Sequence, residues 1–230
     1  MARPRWMNLW HAVRQGIECS RFQGVGNPGM GRLADFSGKV ILVTGAGKGT
    51  GRAVAESFAE QGAKVAANDV SPVNLDETVA HILSAGGWAK AYVEDIAKKM
   101  PVQALLNAVL DDLGRIDILV NCAEVEPRKS LLEMDDWDWQ RTLDVNLNGA
   151  FLLTQSAGRI MKESGGGIIV LVGERTKGSE KRAAYLASKA GLSALSAQAA
   201  VELSEYGIRV VHVQPGETGD MVRQILESCS

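Results

Sequence analysis

The chain has 230 residues, with 25 basic and 27 acidic side chains and a formal net charge of −2 at pH 7. Its 46% of hydrophobic and 23% of charged residues are ordinary for a globular protein, which excludes disordered, collagen-like and coiled-coil chains. Because no basic excess is available to neutralise phosphates, we expect no nucleic-acid partner. No apolar run approaches the ~18 residues of a membrane span, so we expect a cytoplasmic protein with no membrane partner.

The cysteines and histidines are too scattered to suggest a disulfide framework or a metal site. Cys19, Cys122 and Cys229 are odd in number, lie far apart and form no CxxC pair. The histidines also lack the local spacing of metal ligands. We therefore expect a reducing compartment and no bound metal.

Residues 1–35 differ in composition from the rest and are interpreted as an N-terminal extension ahead of a domain at 36–230. The extension is rich in arginine and poor in acids, and its apolar residues from Trp6 to Ile17 recur at helical spacing. A glycine-rich linker follows it. Three interpretations stay open: an organelle targeting segment, an arm that packs on a neighbouring surface, or a start that truly lies at Met30.

From residue 36 onward, short apolar runs alternate with longer amphipathic segments. Strands are predicted at 39–44, 63–69, 88–93, 116–121, 168–172 and 208–213. Helices are predicted at 52–61, 75–84, 102–113, 137–161 and 182–205. Strands separated by helices pair in parallel through right-handed crossovers, and such continuous apolar strands are covered on both faces. The pattern predicts an α/β fold, a doubly wound Rossmann-type parallel sheet of about six strands, with its ligand crevice at the carboxyl ends of the strands.

A glycine-rich segment, TGAGKGTG at 44–51, joins the first predicted strand to the first helix. Glycines allow a tight turn and a close backbone approach to a pyrophosphate, and the helix N-terminus offers free N–H groups. A tight strand–helix turn without a ligand is the structural alternative. The candidate cofactor-binding residues in this segment are Gly45, Lys48, Gly49, Thr50 and Gly51.

Asp69 ends the second predicted strand, 18 residues after Gly51. A carboxylate there can accept hydrogen bonds from the adenosine ribose hydroxyls and would repel a 2′-phosphate, which favours NAD. Lys48 acts in the opposite direction, because a cation beside the loop could pair with that phosphate. NAD is therefore the expected cofactor, and NADP remains the alternative.

Tyr185 and Lys189 lie four residues apart on an alanine-rich predicted helix, and so on one face of it. An ammonium group near a phenol favours the phenolate and is expected to lower the pKa of Tyr185. A tyrosine tuned in this way can exchange a proton with a substrate hydroxyl or carbonyl during hydride transfer. The Tyr185 and Lys189 pair alone is weak evidence for a catalytic site, since this spacing also occurs on ordinary solvated helices.

Together these motifs resemble the short-chain dehydrogenase/reductase family over about residues 36–216. The other matching positions are Asp95 and Ile96 in VEDI, Asn121 and Ala123 in NCA, Asn146 in DVNL, and the Pro215–Gly216 turn. The resemblance implies adenine contact by Asp95, a proton-relay water held near Asn146, and a nicotinamide beside Pro215–Gly216. It also implies that Tyr185 is the general acid/base and that Lys189 tunes it and reaches the nicotinamide ribose.

The resemblance is strongest to 3-oxoacyl-carrier-protein reductases and related ketone reductases. The resemblance implies an NAD(P)-dependent oxidoreductase that acts on a small-molecule ketone or secondary alcohol. It also implies that Tyr185, Lys189 and Asn146 are its catalytic residues. The family commonly forms homodimers or homotetramers through its long helices, so segments 138–161 and 182–205 are the expected interface.

Four departures from the family pattern put activity in question. Gly173 stands where the family has a substrate-orienting serine, Glu124 replaces a glycine, and Asp220 replaces a threonine for which Thr218 could substitute. The chain also ends 15 residues after Pro215, so we expect a missing or short substrate lid and no seventh strand. The alternatives are a catalytically impaired cofactor-binding or structural subunit, and a truncated gene product.

Losing the serine removes one hydrogen-bond donor to the developing alkoxide, and the loss of a comparable donor costs roughly 10²–10³ in rate. Thr176 and Ser179 are the nearest hydroxyls in the sequence.

Overall fold

The computed structural model of the chain describes residues 35–174, 178, 180–214 and 218–230, without the side chains of 218 and 219. Residues 1–34, Thr176, Ser179 and the Pro215–Gly216 turn lie outside the described residues. The proposed division between residues 35 and 36 therefore stays a prediction. No helix in the described part of the chain is both long and apolar enough to cross a membrane.

The described domain alternates strands and helices from Val40 to Cys229. The strands are β1 (Val40–Thr44), β2 (Lys64–Asp69), β3 (Trp88–Val93), β4 (Ile118–Asn121), β5 (Gly167–Val172) and β6 (Ile208–Val213). The helices are α1 (Gly49–Glu60), α2 (Pro72–Ser84), α3 (Lys99–Leu113), α4 (Asp136–Leu143), α5 (Ala150–Glu163), α6 (Ala183–Ser204) and α7 (Thr218–Cys229).

All strand pairs are parallel, and the six strands of this sheet lie in the order β3-β2-β1-β4-β5-β6. The order reverses between β1 and β4, where the carboxyl ends of the two strands border a crevice. The central strands are buried because helices cover both faces; every residue of β1 and β4 is buried. The predicted fold class, a doubly wound Rossmann-type α/β sheet, is confirmed.

Helices pack on the sheet in two groups. α1 contacts α2 and α7, whereas α5 contacts α3 and α6. The hydrophobic core beneath the second group is built from aliphatic side chains of the strands and helices. Its largest fully buried members include Leu42, Leu105, Leu106, Leu119, Leu153, Met161, Ile169 and Leu171.

Two elements differ from the sequence prediction. The single helix expected at 137–161 is two α-helices joined by a π-helical turn, Asp144–Gly149. The C-terminal helix α7 was not predicted, and it buries Met221, Ile225 and Leu226 against the domain. Both differences depend on tertiary contacts, since the π turn carries the buried Asn146 and α7 packs on the distant helix α1.

Candidate active site

The glycine-rich loop forms a tight turn at the carboxyl end of β1. Gly45 has a φ of +67°, and a Cβ there would lie 2.7 Å from Ala123 Cα. A Cβ on Gly51 would lie 2.1 Å from the carbonyl oxygen of Gly45. Both contacts are too close for any larger residue, so glycine is required for this loop to lie against the start of α1.

A cleft of about 480 Å³ opens in front of this loop. Nine of the predicted cofactor-binding residues line it: Gly45, Lys48, Gly49, Thr50, Gly51, Asp69, Asp95, Ile96 and Ala123. Glu124, Val125 and Arg141 also line it. The cleft therefore follows the carboxyl edge of the sheet from the β2 end to the segment after β4.

Asp69 is held at the β2 end of the cleft by two backbone hydrogen bonds. Its Oδ2 accepts from Gly47 N at 2.9 Å, and its Oδ1 accepts from Ser71 N at 2.9 Å. The carboxylate is thereby fixed beside the glycine loop. Arg52, the nearest arginine in the sequence, is engaged with Thr78, Asn74 and Glu77.

Asp95 lies in the cleft, but its carboxylate is already paired. Arg141 Nη1 donates to Asp95 Oδ2 at 3.1 Å, and Ala97 N donates to Oδ1 at 3.1 Å. Partial burial works to raise the pKa of Asp95, but the hydrogen bonds from Arg141 and Ala97 outweigh it and keep that pKa below its ordinary value. Sequence reasoning missed Arg141, because the pair joins positions 46 residues apart.

Asn121 and Asn146 support the cleft through hydrogen bonds within the protein. Thr44 Oγ1 donates to Asn121 Oδ1 at 2.6 Å, which joins the carboxyl ends of β1 and β4. Asn146, in the π turn, accepts from Val125 N at 2.8 Å and donates to Val125 O at 3.0 Å. Asn146 therefore fixes the segment that follows β4.

The Tyr185 hydroxyl and the Lys189 ammonium converge on Glu124. Tyr185 Oη donates to Glu124 Oε2 at 2.9 Å, and Lys189 Nζ lies 2.7 Å from the same oxygen. Lys189 also donates to Val172 O at 3.0 Å, and its Nζ is 5.4 Å from the centre of the Tyr185 ring. The carboxylate that replaces the family's glycine thus joins the two predicted catalytic side chains.

The expected lowering of the Tyr185 pKa by Lys189 is wrong for this arrangement. Burial raises the pKa of Tyr185 above its ordinary value, and the negative charge and hydrogen bond of Glu124 raise it further. Glu174 and Glu126 add smaller contributions in the same direction. Tyr185 is therefore protonated, with its hydroxyl turned toward Glu124.

Three predicted positions near the C-terminus lie wholly or partly outside the described residues. Pro215 and Gly216 are not described, and neither is the side chain of Thr218. Gly173 is described: it is buried at the end of β5, and its N–H donates to Val213 O at 2.7 Å.

Comparison with known proteins identifies the same family along nearly the whole domain. The family model described as short chain dehydrogenase matches residues 39–228. An uncharacterized oxidoreductase of Thermotoga maritima is 43% identical over 80% of this chain and 73% of its own length. D-threitol dehydrogenase of Mycolicibacterium smegmatis is 39% identical over 78% of this chain and 70% of its own length. A 3-oxoacyl-[acyl-carrier-protein] reductase of Synechocystis is 38% identical over 80% of this chain and 76% of its own length.

Solved structures agree with the sequence matches. A metagenomic short-chain oxidoreductase in complex with NADP has a TM-score of 0.80 at 32% identity, covering 84% of this chain and 90% of that one. NAD⁺-bound xylitol dehydrogenase has a TM-score of 0.76 at 34% identity, covering 80% of this chain and 72% of that one. The chain therefore belongs to the short-chain dehydrogenase/reductase family, a family of nicotinamide-dependent oxidoreductases.

Proposed function

We propose that this protein is an NAD-linked oxidoreductase of ketones or secondary alcohols, with Tyr185 as the group that exchanges the proton. One observation carries the proposal: the Tyr185 hydroxyl and the buried Lys189 ammonium meet at one carboxylate oxygen of Glu124, which lines the cleft. A nicotinamide dinucleotide, when bound, would supply or accept the hydride.

The backbone that borders the cleft supports the proposal of a bound dinucleotide. Added Cβ atoms at Gly45 and Gly51 would meet backbone at 2.7 and 2.1 Å, so the loop is compact where a pyrophosphate would lie. α1 begins at Gly49, and its N-terminus offers free N–H groups to an anion. Gly45, Lys48, Gly49, Thr50 and Gly51 would hold the phosphates.

Asp69 supports the preference for NAD. Its carboxylate is fixed beside the loop by Gly47 N and Ser71 N, so it could not easily turn away from a 2′-phosphate. The same carboxylate would accept hydrogen bonds from the ribose hydroxyls of NAD. Lys48 lines the cleft as well, and NADP remains the alternative that a binding comparison decides.

In the reducing direction Tyr185 would give its hydroxyl proton to the carbonyl oxygen of the substrate. The hydroxyl would first leave Glu124, to which it donates in this structure. Lys189 would stabilise the phenolate that remains, because its ammonium lies 5.4 Å from the ring centre. In the oxidising direction the phenolate would take the proton from the alcohol.

The names of the relatives supply the substrates to try first. The matched proteins include a D-threitol dehydrogenase, a xylitol dehydrogenase and a 3-oxoacyl reductase. We therefore propose polyols and 3-oxo esters as the first classes, with D-threitol, xylitol and ethyl acetoacetate as probes.

We also propose that two or four copies associate through α5 and α6, the helices that occupy the segments named above. A groove of about 320 Å³ lies between them, and Phe151 at its side is 44% exposed. Sedimentation should show a dimer or tetramer; a monomer at all concentrations would contradict this.

The enzymatic proposal is tested by binding and turnover on one sample. NADH binding is followed by tryptophan-to-nicotinamide energy transfer, with NADPH in parallel, and turnover is measured with the three probes. We expect saturable NADH binding, weaker NADPH binding and turnover of at least one probe. Tyr185→Phe should bind NADH and lose ~10²–10⁴ in turnover. NADH binding without any turnover would favour the impaired cofactor-binding subunit instead.

A further inference from the structure

The space that a side chain at position 173 would occupy is filled by the imidazole of His212. A Cβ added to Gly173 would lie 2.0 Å from His212 Nε2 and 2.7 Å from Cε1. His212 reaches this point from β6, where it pairs with Leu171 of β5 in the parallel register. Gly173 is therefore needed to make room for the ring.

The ring nitrogen lies where the side chain of a serine at 173 would begin. The hydroxyl oxygen of a serine is one covalent bond beyond its Cβ, and Nε2 is 2.0 Å from that Cβ. A nitrogen of His212 therefore lies within the space that a serine side chain at 173 would need.

His212 Nε2 is buried and has no hydrogen-bond partner in the part of the chain that the structure describes. Leaving a buried polar atom unpaired is unfavourable, so such atoms usually have a partner or a function. A ligand oxygen arriving at this end of the sheet would supply the missing partner.

The surroundings of His212 are those of the proton-exchanging pair. Lys189 donates to Val172 O at 3.0 Å, directly before Gly173, and Tyr185 lies one helical turn before Lys189. Burial lowers the pKa of His212, and the nearby Lys189 charge lowers it further, which keeps the ring neutral. A neutral imidazole with its proton on Nε2 is a hydrogen-bond donor at that atom.

We propose that His212 replaces the missing serine, and that its Nε2–H donates a hydrogen bond to the substrate oxygen that Tyr185 protonates. This inference rests on the proposed function, because it concerns the same reacting oxygen. His212 forms no covalent bond and transfers no proton; it orients the carbonyl and stabilises the developing alkoxide.

If His212 replaces the serine, then a serine at position 173 should replace His212 once the imidazole is removed. Gly173→Ser alone should not raise activity, since its Cβ would meet the imidazole at 2.0 Å. In the double variant Gly173→Ser, His212→Ala the ring is gone, and the hydroxyl returns to the volume that Nε2 leaves.

The test compares variants that separate the N–H from the volume of the ring. His212→Gln keeps an N–H at a similar reach, whereas His212→Leu keeps volume and removes the donor. We expect His212→Leu to lower kcat by ~10²–10³ without changing NADH affinity, and His212→Gln to retain most of the activity. The double variant should exceed His212→Ala in kcat. His81→Leu is the matched control on the surface, where His81 contacts Glu56; it should leave kcat unchanged.

Several outcomes would overturn the inference. Full activity in His212→Leu would show that the Nε2–H of His212 is not needed. Equal loss of activity in His212→Gln and His212→Leu, with unchanged melting temperatures, would show that the shape of the ring matters and not its hydrogen bond. A double variant no better than His212→Ala would contradict the exchange. A wild-type protein that binds NADH but converts no probe would overturn the proposed function together with this inference, whereas active wild type with unaffected variants overturns this inference alone.

Discussion

Among single residues, Glu124 has the largest effect on the candidate catalytic pair. Its Oε2 accepts the Tyr185 hydroxyl at 2.9 Å and lies 2.7 Å from Lys189 Nζ. A carboxylate there stabilises protonated Tyr185 and draws the ammonium away from a phenolate. Glu124, which stands where the family pattern has a glycine, therefore raises the pKa of the proposed general acid/base.

Glu124→Gln should therefore move the pH dependence of alcohol oxidation. Oxidation needs ionised Tyr185, so the rate rises as pH increases through the pKa of Tyr185. Burial and Glu124 raise that pKa, and removing the charge should shift the rise to lower pH by about one unit. The measurement is kcat/KM against pH with the probe alcohol that turns over best.

Glu133→Gln provides the control for Glu124→Gln. Glu133 is exposed, accepts a hydrogen bond from Ser130 and loses the same charge when substituted. Its pH profile should coincide with that of the parent. A profile of Glu124→Gln that also coincides would show that Glu124 does not control Tyr185 during turnover.

In the proposed function, the charge of Asp69 sets the preference for NAD over NADP. Asp69→Asn keeps the shape and removes the charge facing the 2′ position, so the ratio of NADPH to NADH affinity should rise about tenfold, or ~1.4 kcal/mol. Energy-transfer titrations with both cofactors measure the ratio. Asp76→Asn, which removes the same charge from an exposed position on α2, should leave the ratio of NADPH to NADH affinity unchanged. If Asp69→Asn also left this ratio unchanged, groups other than Asp69 would determine the cofactor preference.

At the scale of elements, the β1–α1 connection should affect both the stability of the fold and the proposed cofactor binding. Gly51→Ala would bring a Cβ to 2.1 Å from Gly45 O, and the loop would have to move. We expect the free energy of unfolding to fall by ~1–3 kcal/mol and NADH affinity to fall more than about tenfold. Urea denaturation and NADH titration measure the two effects.

Gly114→Ala is the matched control for the loop substitution. Gly114 has a φ of +78° and no atom within 4 Å of an added Cβ, so only its backbone conformation is strained, at a cost of ~1–2 kcal/mol. NADH affinity should stay at the parental value in this variant. If Gly51→Ala also kept parental affinity, the loop would not be the phosphate site.

At the scale of the whole molecule, α7 connects the C-terminal segment to the first half of the sheet. α7 packs on α1 as well as β6, and Ile225 is fully buried there. Ile225→Ala should lower the free energy of unfolding by ~2–5 kcal/mol in urea, whereas the exposed Gln224→Ala should change it little. Equal stability of the two variants would mean that α7 does not pack as described.

The sequence was sufficient for the fold class because short, mostly apolar strands alternate with longer amphipathic segments that end at glycine. The glycine loop could also be predicted, because the backbone of the loop approaches neighbouring backbone so closely that only glycine fits at positions 45 and 51. The π turn around Asn146 was not readable, because its hydrogen bonds to Val125 come from a distant segment.

The least predictable parts of the site are contacts between departures from the family pattern. Tyr185 donates a hydrogen bond to Glu124, which lies 61 residues earlier in the chain, and no local sequence pattern predicts that pairing. Gly173 and His212 come together only because β5 and β6 are neighbours in the sheet. The sequence could show that a serine was missing, but only the packing shows what fills its place.

In the proposed reaction, hydride passes from the bound nicotinamide to the substrate carbonyl carbon while Tyr185 donates the proton. Wild type and Tyr185→Phe are given ethyl acetoacetate and NADH that carries deuterium at both nicotinamide C4 positions, and the product is analysed by mass spectrometry. We predict one deuterium in the alcohol formed by wild type, and at least ~10²-fold less labelled product from Tyr185→Phe. NADH binding with no deuterated alcohol from wild type would contradict the proposed hydride transfer, and equal labelling by Tyr185→Phe would contradict the role of Tyr185.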